Sequence, residues 1–164
     1  DYADKCGDWV EYIATAEAAD EEMKTRVALH RQRRPSSWKT IEAPYDAVPA
    51  MRAAVQRADA VLFDCLTLYI SNLLLAPGMP SDPMERSKIV LDRWKDLLLV
   101  AAAGTASVII VTNEVGCGIV PADRMTRLFR DMTGLANQRV AAAADKVIWS
   151  VSGVPVLIKG TGCK

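Results

Sequence analysis

Hydrophobic positions along the chain fall into two kinds of run. Short blocks rich in β-branched and aromatic residues occupy residues 9–14, 60–63, 107–111 and 146–151, and a further block at 154–159 follows across Ser152-Gly153. Blocks of this length predict strands, and their continuous apolar character predicts burial on both faces. Ser152-Gly153 fits the tight turn of a hairpin joining the last two. Longer amphipathic stretches predict helices over 20–33, 45–57, 66–75, 82–103 and 124–145. Asp20 is placed to cap the first of them. In residues 82–103 an apolar face runs through Leu91, Trp94, Leu98 and Ala101-Ala102, while Gly134 is a candidate break that would divide 124–145 into two helices. Strands alternating with helices predict an α/β protein with a mainly parallel sheet. With no internal repeat, low-complexity segment or linker, residues 1–164 are read as one domain.

The polar residues that interrupt this pattern are not scattered. Thr15 follows the first strand block, Asp64 the second and Asn113-Glu114 the third. Ligands of open parallel sheets bind beyond the carboxyl ends of the strands, so these groups define one edge as the place to look for chemistry.

Composition narrows the possible partners. Of 164 residues, 51% are apolar and 24% charged, and 20 basic side chains balance 20 acidic ones. No overall field favours nucleic acid or an anionic membrane, so an anion site must be local. The longest apolar runs, such as residues 97–103, are too short to span a bilayer. Residues 1–15 lack the basic start and apolar centre of a signal peptide, and a cytoplasmic protein is expected. The cysteines, Cys6, Cys65, Cys117 and Cys163, form no C-x-x-C pair and the chain has a single histidine, which argues against structural zinc. Cys65 reads as a buried thiol. Nothing in the sequence favours a bridge between Cys6 and Cys163.

That single histidine, His30, lies among Arg26, Arg31, Arg33 and Arg34 and just before Pro35. Imidazole is a nucleophile near neutral pH, and guanidinium groups orient phosphates. Together they fit a histidine offered a phosphorus centre. The same residues also fit a solvated helix end, since arginine is favourable there and proline ends helices. Asp64 fits either the magnesium-organising acid of a phosphate-loop protein or a cap for the helix that follows it. Trp38 fits core packing or a wall beside a ligand. Gly116 and Gly118 fit a tight loop next to a ligand or a plain connection. Arg127, Arg130, Asp131, Asn137, Gln138 and Arg139 fit substrate or subunit contact, or a solvated face.

Four blocks in order resemble a known family. They are Tyr12-Ile-Ala-Thr-Ala16 with Asp20-Glu-Glu-Met23; Arg26-x3-His30-x3-Arg34-Pro35-x2-Trp38-x3-Glu42; Asp64-Cys-Leu-Thr-Leu with Asn72-Leu-Leu; and Val111-Thr-Asn-Glu-Val-Gly-x-Gly-Ile-Val-Pro121 with Phe129-Arg130-Asp131-x2-Gly134-x2-Asn137-Gln138. They are similar to the bifunctional adenosylcobinamide kinase / adenosylcobinamide-phosphate guanylyltransferases of cobalamin biosynthesis. The resemblance implies a three-layer, RecA-like P-loop NTPase fold. It implies phosphorylation of adenosylcobinamide, and transfer of GMP from GTP through a histidine to adenosylcobinamide phosphate. His30 is the implied GMP carrier; Ile13, Ala14, Thr15, Arg31, Gln32, Arg33, Arg34, Glu42 and Asp64 are the implied nucleotide contacts. GTP, ATP and Mg²⁺ are the implied cofactors, and a homo-oligomer the implied assembly. The family also carries a first strand and a G-x-x-x-x-G-K-[ST] phosphate loop. No such motif occurs in residues 1–164, so Asp1 is expected to fall in the helix after that loop and the chain to be a fragment. The competing readings are a non-catalytic or truncated nucleotide-binding module and another small-metabolite P-loop kinase.

Overall fold

A computed structural model describes residues 2–18 and 20–161. After a 3₁₀ turn at Ala3–Lys5 the elements are β1 (Val10–Ala14), α1 (Glu21–Gln32), β2 (Lys39–Glu42), α2 (Ala47–Ala54), β3 (Ala60–Asp64), α3 (Leu66–Leu75), α4 (Pro83–Ala103), β4 (Ser107–Val111), α5 (Arg124–Ala143), β5 (Val147–Val151) and β6 (Val154–Lys159). Strands β1 to β4 form one wholly parallel sheet in the order β2-β1-β3-β4, and β5 and β6 pair as a separate antiparallel hairpin. The expected α/β class with a parallel sheet is therefore observed.

Period-two alternation assigns the sheet's two faces. Ile13, Ile41, Val61, Phe63, Val108 and Ile110 face α2 to α5 and belong to the main core, which also holds Met51, Leu66, Tyr69, Leu74, Trp94 and Leu97. The opposite parity carries Tyr12, Ala14, Thr40, Glu42, Leu62 and Asp64, which the register places side by side: Ala14 is level with both Glu42 and Asp64. A small second cluster of Ala3, Val10 and Ala60 lies at the amino end. Glu11 is fully buried, and its charge is matched by Arg57, whose Nη2 donates to Oε2 at 2.9 Å and whose Nε also donates to Oε1. A buried carboxylate needs such a partner.

Helix starts follow the capping residues. Asp20 accepts from the Met23 amide at 2.7 Å, Asp82 from Glu85 at 2.9 Å and Asp123 from Thr126 at 2.7 Å. Gly104 sits where the chain leaves α4, and a Cβ there would lie 2.3 Å from Cβ of Val55, so only glycine fits the close approach. Ser152 and Gly153, with φ of 51° and 81°, form the hairpin turn.

Several expectations are corrected. β2 was not anticipated: Lys-Thr-Ile-Glu has one aliphatic residue and forms a short edge strand. The stripe of α4 that is most buried is Val90, Trp94, Leu97 and Val100, with Leu91, Leu98 and Ala101 beside it, while Ala102 is exposed. Gly134 does not break α5, which runs unbroken through it; one glycine costs about 1 kcal/mol, within reach of a long packed helix. β5 and β6 are apolar but largely exposed among the described residues, and β4 is only half-buried, so continuous apolar character did not mean burial on both faces there. Cys65 is buried as expected, whereas Cys163 lies outside the described residues.

Trp94 is the largest fully buried side chain, and its Nε1 has no hydrogen-bond partner among the described residues. Its contribution is therefore volume and apolar area. Trp94→Ala is expected to cost about 3–5 kcal/mol in chemical denaturation. Trp94→Phe keeps most of the volume and discards the unpaired N–H, and should cost less than half of that.

Candidate functional site

Because β1, β3 and β4 are parallel, Thr15, Asp64 and Asn113 emerge at the same sheet edge, as their positions in the sequence anticipated. Thr15 spends its hydroxyl on the chain that leaves β3: Oγ1 donates to the Cys65 carbonyl at 2.8 Å and accepts from the Cys65 amide at 2.7 Å. The Thr15 amide donates to the Asp64 carbonyl at 3.0 Å. Asn72 Nδ2 donates to the carbonyls of Thr15 at 2.7 Å and Pro44 at 3.1 Å. Strand ends so tied present Asp64 from a fixed backbone.

Asp64 does not cap α3. Cys65 holds the cap position, with no side-chain capping bond. The Asp64 carboxylate instead accepts a short hydrogen bond from the Tyr12 hydroxyl, two residues back on the same face of β1. That removes the capping reading of Asp64. Tyr12 is the hub of the site. Cζ of Arg34 lies 3.4 Å from the centre of its ring, Trp38 stacks beside it at 6.4 Å, and the His30 ring meets it edge-on at 6.0 Å. Trp38 also donates from Nε1 to Asp4 at 3.0 Å, so it packs on Tyr12 and anchors the 3₁₀ turn.

His30 is exposed in the last turn of α1. Its Nδ1 is 3.1 Å from Nη2 of Arg34 and 3.4 Å from the Tyr12 oxygen. Arg34 reaches Thr40 Oγ1 with Nη1 at 3.3 Å, and its Nε is buried with no partner. Among the described residues no carboxylate lies within ion-pair distance of Arg34. Its neighbours in α1 and elsewhere are spent differently: Arg26 pairs with Glu22 at 2.8 Å, and Arg31 pairs with Glu42. The solvated-helix-end reading fits Arg26 but not Arg34, which is half-buried against an aromatic ring.

These groups line a cavity of about 370 Å³ between α1 and the sheet. Ala14, His30, Arg31, Arg33, Arg34, Glu42 and Asp64 all face it, with Tyr12 and Arg26. Four guanidinium groups against two carboxylates make it a place for an anion, and Met23, Val27, Leu29 and Leu68 supply apolar walls. Three of the anticipated residues are not brought to it. Ile13 points into the core, the Thr15 hydroxyl is consumed by Cys65, and exposed Gln32 lies outside the lining. The glycine loop is held by its own neighbours: the Gly116 amide donates to Glu114 at 3.1 Å, Arg127 to the carbonyls of Pro121 at 2.9 Å and Ala122 at 2.6 Å, and Asn137 to that of Asn113 at 3.0 Å.

His30, Arg34 and Asp64, three of the residues that the sequence resemblance implies, line one cavity. The family model described as cobinamide kinase / cobinamide phosphate guanyltransferase matches residues 1–158. The chain belongs to this family. It is 43% identical over 153 residues to the bifunctional adenosylcobalamin biosynthesis protein CobU of Salmonella typhimurium, covering 90% of this chain and 84% of that one. The CobU protein of Escherichia coli is 39% identical with the same coverage, and the CobP protein of Pseudomonas aeruginosa 38% identical over 92% of this chain and 83% of its own length. A member of the cobinamide kinase / guanyltransferase family is a transferase that uses nucleotides. The readings as a non-catalytic module or an unrelated kinase fall with that assignment.

Tyr12 is the site residue that the sequence analysis did not single out. An aromatic in a strand reads as core, yet period two puts Tyr12 on the face of Ala14 and Asp64, away from Ile13. Burial, followed by the hydrogen bond and charge of Asp64, pushes the Tyr12 phenol well above its ordinary value. The unfolded chain would ionise it near pH 10 while the folded protein keeps it protonated, so the native state binds more protons and loses stability as pH rises. Denaturation midpoints of the wild type are expected to fall between pH 9 and about 12 more steeply than those of Tyr12→Phe. Equal slopes would show that the phenol is not held protonated by the fold.

Proposed function

We propose that His30 is the residue through which GMP passes from GTP to adenosylcobinamide phosphate, giving adenosylcobinamide-GDP, and that the same single domain phosphorylates adenosylcobinamide. The observation that carries this reading is the 3.1 Å contact between His30 Nδ1 and an Arg34 guanidinium that has no carboxylate partner among the described residues. A cation left unpaired at a nucleophile is arranged for an anionic substrate.

In this reading neutral His30 attacks the α-phosphorus of GTP and pyrophosphate leaves. Arg33 and Arg34 neutralise charge that grows on the phosphoryl oxygens. The phosphoramidate is then attacked by a phosphate oxygen of adenosylcobinamide phosphate, which restores the imidazole. Passing through a covalent intermediate divides one difficult displacement into two. Arg31, paired with Glu42, and the apolar walls at Met23 and Val27 hold the nucleoside end in place.

Magnesium binds through one or two carboxylates and substrate phosphates and keeps several waters; of the two strand-end acids in the cavity Glu42 is paired with Arg31, so Asp64 is the residue that would hold the ion. Among the described residues no cluster of three acidic, histidine or cysteine side chains offers an alternative. The ion would supply neutralisation of triphosphate charge. ATP or GTP as phosphate donor in the kinase reaction rests on family membership, since residues 1–164 contain no G-x-x-x-x-G-K-[ST] loop. A cytoplasmic homo-oligomer completes the reading. No helix among the described residues is long and apolar enough to cross a membrane, and the exposed Trp149 and Ile158 are apolar surface that an assembly would cover.

Incubation with α-labelled GTP and magnesium should give an acid-labile, alkali-stable protein adduct. His30→Ala should abolish it, and labelling of that variant at the wild-type level would overturn the role of His30. Arg34→Ala should slow labelling by about 10²-fold, with Arg34→Lys recovering part of the loss.

A further inference from the structure

Two opposite charges share the cavity without meeting. Arg34 and Asp64 both line it, yet among the described residues they do not come within ion-pair distance. Arg31 and Glu42 line the same cavity and do pair. The two acids start level, since Glu42 on β2 and Asp64 on β3 both stand beside Ala14. The pair that forms is the exposed one, where water weakens the attraction; Arg34 and Asp64 are half-buried and would attract more strongly. Between them stands Tyr12. It is level with Thr40 of β2 on one side and Leu62 of β3 on the other. Arg34 comes from the β2 side, where Nη1 donates to Thr40 Oγ1 at 3.3 Å, and its Cζ rests 3.4 Å from the centre of the Tyr12 ring. The hydroxyl at the tip of that ring reaches across to β3 and donates to the Asp64 carboxylate. The ring thus spans the space from the cation to the anion, and Trp38 stacks beside it at 6.4 Å.

We propose that Tyr12 is a positioning residue that keeps Arg34 and Asp64 from neutralising each other, by giving each an uncharged partner: the ring face for the cation and the hydroxyl for the anion. A charge taken out of water needs compensation, and the nearest opposite charge ordinarily provides it. A guanidinium on an aromatic face gains attraction yet keeps its full charge. A carboxylate has about four acceptor positions, so one hydrogen bond from a phenol leaves lone pairs on both oxygens. Arg34 therefore stays open to an anion, and Asp64 to a cation, within one cavity. A direct pair would spend both at once. The use made of this separation rests on the reading above, in which Arg34 meets phosphoryl oxygens and Asp64 the magnesium ion. Tyrosine is the residue that meets both needs, since phenylalanine offers no donor to the acid and an aliphatic side chain offers no face to the cation.

A double-mutant cycle of Arg34→Ala and Asp64→Asn, read by chemical denaturation of the full chain, tests the separation directly. With Tyr12 in place, the two effects on the unfolding equilibrium constant should multiply to within about twofold. In the Tyr12→Leu background the freed charges should pair, and the effects should depart from multiplication by about threefold or more. That departure should shrink as salt is raised, because an ion pair is screened and a packing contact is not. Tyr12→Phe, which keeps the ring, should depart less than Tyr12→Leu. If Tyr12→Leu shows no cooperative unfolding, Tyr12→Met supplies the same comparison with a flexible apolar filler. A threefold departure with Tyr12 present, or none in its absence, would overturn the proposal. So would a departure indifferent to salt, or one equal in Tyr12→Phe and Tyr12→Leu. Denaturation uses no nucleotide. A wild-type protein that fails to label with GTP would therefore overturn the GMP-carrier reading and leave these couplings as measured, whereas contrary couplings would overturn the role of Tyr12 while labelling persists.

Discussion

The parallel pairing of β1 with β3, and the clasp that closes it, governs the rest of the molecule. Five levels of register run from Val10 beside Ala60 to Ala14 beside Asp64. Just beyond, the Thr15 hydroxyl grips both backbone groups of Cys65. These bonds are made by groups buried from water, where an unmade hydrogen bond would cost on the order of 1–3 kcal/mol. They fix how far the two strands protrude, and so bring the Tyr12 hydroxyl to the Asp64 carboxylate. Tyr12 in turn gives Arg34 a face to lie on, and Arg34 reaches His30. The site is a chain of contacts that begins in backbone pairing.

The two faces of the sheet divide the work. One is a packed core built on Trp94, Tyr69, Phe63 and Ile13. The other is charged, aromatic and open, and α1 lies over it without burying a residue. With none of its residues fully buried, the helix is held by the Arg31–Glu42 pair, by the hydrogen bond of His30, and by Arg34 just past its end, which lies on Tyr12. The placement of α1 therefore draws on the same groups that line the cavity.

Much of this was legible in the sequence, and the failures have physical causes. α3, β4 and the Ser152-Gly153 turn follow from local pattern, since a strong apolar period or a special backbone conformation fixes them. Asp20 and Asp82 mark helix starts because a carboxylate satisfies amides that the helix cannot. β2 was missed because an edge strand of four residues with one aliphatic side chain carries almost no periodic signal. β5 and β6 were read as buried because apolar content was taken for burial, which depends on what lies opposite. His30 and Arg34 were found through their residue types and spacing. Tyr12 was not, because its role depends on a carboxylate 52 positions away that only the strand pairing brings near. Ile13 and Thr15 illustrate the reverse: they neighbour the site in sequence, but the pleat and a backbone clasp turn them away from it.

Tyr12 and Ile13 are consecutive residues with opposite destinations. A slip of β1 by a single position against β3 would exchange the parity of the strand, driving Tyr12 into the aliphatic core and Ile13 into the charged cavity. Such a sheet would exchange every backbone partner of the pairing, lose the Thr15–Cys65 clasp and leave Arg34 and His30 without the ring they rest against. The contact between His30 and Arg34 is therefore also a report on strand register, since only molecules whose central strands have aligned to the residue can assemble it.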